Sequence, residues 1–81
     1  MGLLNDKVAL ITGAGGGIGR GIARCYAREG AKVLIAELNP VTGAEAEAEL
    51  RQMGARAVFV PTDVLRKESV EAAIQAAVDH F

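Results

Sequence analysis

The sequence has 81 residues, 51% of them hydrophobic and only 4% aromatic, with a formal net charge of -1 at pH 7. A chain of this length is one small domain or a piece of a larger one, with a core of Ala, Val, Leu and Ile. The lysines and arginines form no basic run that would suit nucleic acid or an anionic membrane, and no apolar stretch nears the roughly 18 residues that span a bilayer. The opening, Met1-Gly2-Leu3-Leu4-Asn5-Asp6, lacks the basic start and long apolar core of a secretion signal, and Asp6 stands where a myristoylation site wants Ser or Thr. The single cysteine, Cys25, excludes an internal disulfide and suits a reducing cytoplasm.

Residues 8–11, Val-Ala-Leu-Ile, are a short apolar run without polar alternation, which is how a strand buried on both faces of a parallel sheet reads. A glycine-rich stretch follows. Ile18, Ile22 and Cys25 or Tyr26 then recur at helical spacing, with Cys25 near the buried face and Gly30 where a helix end wants a left-handed residue. Residues 32–36, Lys-Val-Leu-Ile-Ala, form a second strand closed by Glu37. Residues 43–50 alternate with period two, yet Ala and Glu are helix formers and poor strand formers, so a helix is predicted. Pro40 fits its first turn, Gly54 its end, and Ala46, Leu50 and Met53 its packing face. A third strand, residues 57–60, stops at Pro61. The last helix is the clearest, because Val70, Ala73, Ile74, Ala77, Val78 and Phe81 repeat at i, i+3, i+4, i+7, i+8 and i+11.

The order β-α-β-α-β-α predicts an α/β fold: half of a doubly wound Rossmann fold, with a three-stranded parallel sheet in the order 3-2-1 and right-handed crossovers. Residues 1–81 are expected to be one dinucleotide-binding half-domain, an N-terminal fragment that stops before strand 4. Strand 1 is then a hydrophobic edge able to pair with a second copy.

Chemistry concentrates in Ile11-Thr12-Gly13-Ala14-Gly15-Gly16-Gly17-Ile18-Gly19-Arg20-Gly21, between strand 1 and helix 1. Glycines there permit a tight turn and let the backbone approach a phosphate, while amides at the helix start hold a pyrophosphate without a basic side chain. The common G-x-G-x-x-G frame fails, since Ile18 occupies its third glycine, whereas Thr12-Gly13-x-x-x-Gly17-x-Gly19 fits completely. On that frame, and on the Asn5-Asp6-Lys7-Val8-Ala9-Leu10-Ile11 opening and the Asp63-Val64 step, the whole chain resembles the N-terminal part of a short-chain dehydrogenase/reductase. The nucleotide-binding residues expected are Gly13, Gly15, Gly16, Gly17, Ile18, Gly19, Glu37, Leu38, Asp63 and Val64.

Glu37, 18 residues beyond Gly19, can accept from the ribose hydroxyls, and its charge repels a 2′-phosphate. NADP-preferring members of the family carry Arg or Lys in the loop or just after strand 2, where this sequence has Gly15, Gly16 and Leu38, so NAD is expected over NADP. Arg20, one residue past the loop, pulls the other way as a cation within reach of a phosphate. An Asp after Pro61-Thr62 serves equally as a turn former. The resemblance implies that Asp63 accepts from the adenine amino group and that Val64 lines the adenine pocket.

The resemblance also implies a second half carrying an Asn-Ala-Gly segment, a catalytic Ser and a Tyr-x-x-x-Lys pair. Here the one tyrosine, Tyr26, is followed four residues later by Gly30, and the one serine, Ser69, is expected to start helix 3. No catalytic residue transfers, and the bare chain is not expected to move hydride. Glu45, Glu47 and Glu49 read as a solvated face, His80 as exposed, and no ligand set has metal-binding spacing. The expected activity is binding of the adenosine diphosphate part of NAD. Its rivals are a part of an NAD-dependent alcohol/ketone oxidoreductase whose remainder lies elsewhere, a self-associating homodimer joined through strand 1, and a methyltransferase, against which the Thr12 to Gly19 frame argues.

Overall fold

The computed structural model describes residues 6–13 and 16–81. The elements follow the expected order: β1 (Val8–Thr12), α1 (Gly17–Arg28), β2 (Lys32–Glu37), α2 (Pro40–Gln52), β3 (Ala57–Pro61) and α3 (Lys67–His80). All strands are parallel and adjacent in the order β1-β2-β3, the same sheet as 3-2-1 seen from the other side. Pro61 is the last residue of β3, where a missing N–H costs an edge strand nothing.

Register decides which side chains meet. Ala9, Ile11, Val33, Ile35, Ala57 and Phe59 share one face and pack under Ala23 of α1 and Ala46 and Leu50 of α2. Leu34, Ala36 and Val60 share the other and pack against Ala73, Ala77 and Phe81 at α3. β2, with Val33, Leu34, Ile35 and Ala36 all at 1% exposure or less, has the two-sided burial that its continuous apolar run predicts.

β1 does not. Only Ile11 is buried, whereas Val8 is 47% and Leu10 36% exposed. Both lie on the sheet face that α3 packs against, where they line an open apolar cleft with Ile74, Ala77, Val78 and Phe81. The apolar run therefore reports how much burial β1 can accept, not how much α3 supplies.

Helix α1 also faces differently from expectation. Its sheet-facing residues are the small Ala23 and Ala27, while Ile18, Ile22, Cys25 and Tyr26 are exposed. Small side chains let the helix backbone sit close to the sheet and turn the larger ones outward. Cys25 is accordingly a surface residue and not a packing one. In α2 the packed face runs through Gly43, Ala46 and Leu50, and Met53 lies beyond the helix as its C-cap, 42% exposed. Gly30 (φ 94) and Gly54 (φ 88) make the left-handed exits from α1 and α2.

The glutamates of α2 are largely engaged. Glu47 accepts from the Phe59 backbone N–H at 2.7 Å, and Glu49 accepts from Arg20 Nε at 2.7 Å and from Arg24. Glu45 alone of the three fits the solvated reading. α3 is as amphipathic as its spacing predicts, but of its stripe only Ala73 is fully buried, with Ile74 and Val78 exposed.

Candidate functional site

The C-terminal ends of the strands gather the expected residues. β1 runs into Gly13, whose N–H donates to the Ala36 carbonyl at 3.1 Å, fastening the loop to the end of β2. Gly13 has φ 66, a left-handed conformation in which a side chain would be strained. The Gly16 N–H returns to the Gly13 carbonyl at 3.1 Å, and the Arg20 N–H opens the helical ladder on the Gly16 carbonyl at 2.7 Å. Helix α1 thus begins at the mouth of the sheet.

Gly16 and Gly17 are not glycine for the sake of the fold. Neither takes a positive φ; a Cβ on Gly17 would meet nothing within 4 Å, and one on Gly16 would touch only the Gly13 carbonyl oxygen at 3.7 Å. What they leave is bare backbone beside open space at a helix start. Among the described residues no side chain caps α1 at Gly16, and no acidic residue stands in its first turn. By contrast, Asn39 caps α2 through bonds from the Val41 and Thr42 N–H groups. Uncapped amides with the partial positive charge of the helix end suit an anion, so these residues fit a phosphate-bearing group. Ile18 is 84% exposed in the same turn, and Gly19 is half-buried within it. Gly15 falls outside the described residues.

The next wall is the end of β2. Glu37 is its last residue, and its Oε1 accepts from the Asn39 N–H at 3.3 Å. The Glu37 carbonyl accepts from the Thr62 N–H at 2.9 Å, which ties the ends of β2 and β3 together. Gly13, Glu37, Leu38, Asp63 and Val64 all line one cleft of about 350 Å³ between these strand ends. Thus five of the expected residues share one concavity, whereas Gly16 is the N-cap of α1 and Gly17, Ile18 and Gly19 lie in its first turn. Leu38 and Val64, 67% and 54% exposed, offer apolar surface at its rim.

Arg20 does not face this cleft as a free cation. Its guanidinium is held by Glu49, which also takes Arg24, and the two arginines hold the Glu49 carboxyl down to about 2 from an ordinary 4.5. The same contact pushes Arg24 up from its ordinary value. Sequence reasoning also missed Ser69. It is the third residue of α3, but its Oγ accepts from the Asp63 N–H at 2.7 Å and does not cap the helix, whose N-cap is Arg66. An Asp six residues before a Ser at a helix start carries no pattern that announces this bond.

Among the described residues no three His, Cys, Asp or Glu side chains gather as a metal site, and no helix is long and apolar enough to cross a membrane.

Comparisons with known proteins agree on one relationship. The chain is 49% identical, over 96% of its length, to 30% of the short chain dehydrogenase/reductase astE of Aspergillus oryzae. It is 43% identical, over 98% of its length, to 31% of an uncharacterized oxidoreductase of Thermotoga maritima. Among solved structures, a short chain dehydrogenase/reductase from Burkholderia phymatum in complex with NAD superposes with a TM-score of 0.94 at 38% identity, covering 100% of this chain and 29% of that one. The 3-ketoacyl-(acyl-carrier-protein) reductase of Brucella melitensis complexed with NADH gives 0.88 at 40% identity, covering 96% of this chain and 31% of that one. The chain therefore spans about 30% of the length of these relatives. With the short chain dehydrogenase model matching residues 7–81, the chain belongs to the short chain dehydrogenase family.

Proposed function

We propose that this chain binds the adenosine diphosphate part of a nicotinamide dinucleotide, NAD in preference to NADP, and that residues 1–81 form a dinucleotide-binding half-domain. The observation that carries this is the use of Gly16 and Gly17 at the uncapped start of α1, where neither packing nor backbone conformation calls for glycine. In this reading the amides of residues 13–19, Gly15 among them, take the pyrophosphate. Glu37 accepts from the ribose hydroxyls, Asp63 accepts from the adenine amino group, and Leu38 and Val64 enclose the adenine ring. The relatives solved with NAD and NADH support the cofactor class.

Two features support NAD over NADP. A carboxylate at Glu37 opposes a second charge on the ribose, and Arg20 is committed to Glu49. The nicotinamide ring supplies hydride transfer when such a cofactor is bound. In the whole protein this would be oxidation of an alcohol or reduction of a ketone, with proton handling by residues other than Tyr26 and Ser69. We place the protein in the cytoplasm, where a reducing pool keeps an exposed lone thiol such as Cys25 free.

Calorimetric titration of the chain with NAD tests the proposal. Saturable binding near the millimolar end is expected, about 4 kcal/mol, with NADP weaker. Glu37→Ala and Gly17→Val should each abolish it. No saturation, or undiminished binding in both variants, would overturn the assignment. A second reading, self-association through β1, is favoured by the exposure of Val8 and Leu10 beside that strand's outer edge, and it is compatible with ligand binding.

A further inference from the structure

The segment joining β3 to α3 is held more firmly than a connecting turn requires. Thr62 is buried; its N–H reaches the Glu37 carbonyl, and its hydroxyl donates to the Val60 carbonyl at 2.8 Å. Asp63 is then fixed at three points. Its Oδ1 accepts from the Leu65 N–H at 3.0 Å, its carbonyl accepts from the Arg66 N–H at 3.0 Å, and its own N–H donates to Ser69 Oγ at 2.7 Å. The first two contacts are local turn bonds that an Asp makes with its own downstream backbone. The third comes from the next element and is the one that ties Asp63 to the rigid body of α3.

Position gives that bond its meaning. Asp63, Leu38 and Thr62 line both the 350 Å³ cleft beside Gly13 and Glu37 and a second cleft of about 500 Å³ that includes Ser69 and Arg66. Asp63 therefore stands on the ridge between two concavities, and the backbone from which its carboxylate projects sets the side to which that carboxylate is offered. Among the described residues nothing bonds to Oδ2, which leaves an acceptor for a donor in the cleft. A hydroxyl accepting from the Asp63 amide at 2.7 Å holds that backbone in place from α3.

We propose that Ser69 is a positioning residue for base recognition: its Oγ locks the Asp63 peptide so that the carboxylate meets the exocyclic amino group of adenine and rejects a base that carries a carbonyl there. The proposal rests on the reading of Asp63 as the adenine acceptor. Ser69 touches no nucleotide and acts through Asp63 alone. Losing a bond that orients an acceptor should therefore weaken only ligands that offer it a hydrogen.

The test compares NAD with nicotinamide hypoxanthine dinucleotide, which has a carbonyl in place of the amino group, titrated calorimetrically into the chain and its variants. Wild type should prefer NAD. Ser69→Ala should lower NAD affinity about tenfold and leave the hypoxanthine dinucleotide within about twofold, collapsing the preference, while Ser69→Thr restores it. Ser69→Cys, whose thiol is a weak acceptor, should behave as Ser69→Ala and serves if the alanine variant unfolds, as judged by circular dichroism. Equal weakening of both dinucleotides would show a merely structural role and overturn the proposal, as would an unchanged preference. Asp63→Asn separates the two levels. If it abolishes the preference and Ser69→Ala does not, the role of Ser69 fails alone. If wild type binds both dinucleotides equally, or neither, the adenine reading fails and takes the proposal with it.

Discussion

Two glycines in helices show how differently one residue type is used. At Gly43, in the first half of α2, an added Cβ would lie 2.2 Å from Cε1 of Phe59, with two further ring atoms at 2.5 and 2.6 Å. The helix lies on β3 at a separation only a hydrogen permits. Phe59 cannot easily withdraw, because its backbone N–H is held by Glu47 and its ring packs against the core of Ile11, Ile35 and Leu50. Gly43→Ala should therefore destabilise the chain by about 1–3 kcal/mol despite its better helix propensity. At Gly21, in mid-α1, a Cβ meets nothing within 4 Å, so Gly21→Ala should stabilise by about 0.5–1 kcal/mol. Urea melts of both variants check the pair; a stabilised Gly43→Ala would refute the close-approach argument.

The seam between α1 and α2 is an ion cluster, and its pH dependence has a definite sign. Glu49, held by Arg20 and Arg24, titrates at about 2 in the fold against 4.5 ordinarily. A carboxyl depressed by folding contributes stability that is complete above about pH 4.5 and disappears as the pH falls toward 2. The cluster is partly exposed, so solvent screening limits the contribution to about 1 kcal/mol. Wild type should lose that increment between neutral and acid pH in urea melts, while Glu49→Gln starts lower and falls less steeply; parallel curves would contradict the clamp. This seam also marks the limit of what could be read before the structure. Element type and order were legible because buried strands are continuous apolar runs, and because Ala and Glu outweigh their period-two spacing at residues 43–50. The position of the glycine stretch between β1 and α1, and of Glu37 at the end of β2, was legible because motif spacing and strand ends are properties of the chain itself. Glu49, Glu47, Ser69 and Cys25 were not, since a charge, a hydroxyl or a thiol is solvated, paired or packed according to a neighbouring element that spacing does not specify.

At the scale of the whole molecule, the two edges of the sheet are treated differently. β3's outer edge is covered from α2: Glu47 accepts from the Phe59 N–H, Arg51 Nε donates to the Ala57 carbonyl at 2.9 Å, and the two side chains pair at 3.6 Å. A strand whose donors and acceptors are met by charged side chains is a poor template for another strand. Among the described residues no such pair reaches β1. Beside β1 lies an apolar cleft lined by Val8, Leu10, Ile74, Ala77, Val78 and Phe81, with Val8, Leu10, Ile74 and Val78 each at least 36% exposed. Backbone groups able to pair and apolar side chains able to be covered thus coincide on one side of the molecule. The hydrophobic term favours covering that cleft, and each new ladder bond adds to it. Association should therefore proceed through β1, joining two three-stranded sheets, and not through β3. Light scattering over a concentration series should show the mass rising toward that of a dimer. Leu10→Lys, which sets a charge in the cleft, should hold the chain monomeric, and Glu47→Gln, on the opposite edge, should leave the association of the wild type unchanged. A monomer at every concentration would exclude this interface, and dimerisation that survives Leu10→Lys would move it elsewhere.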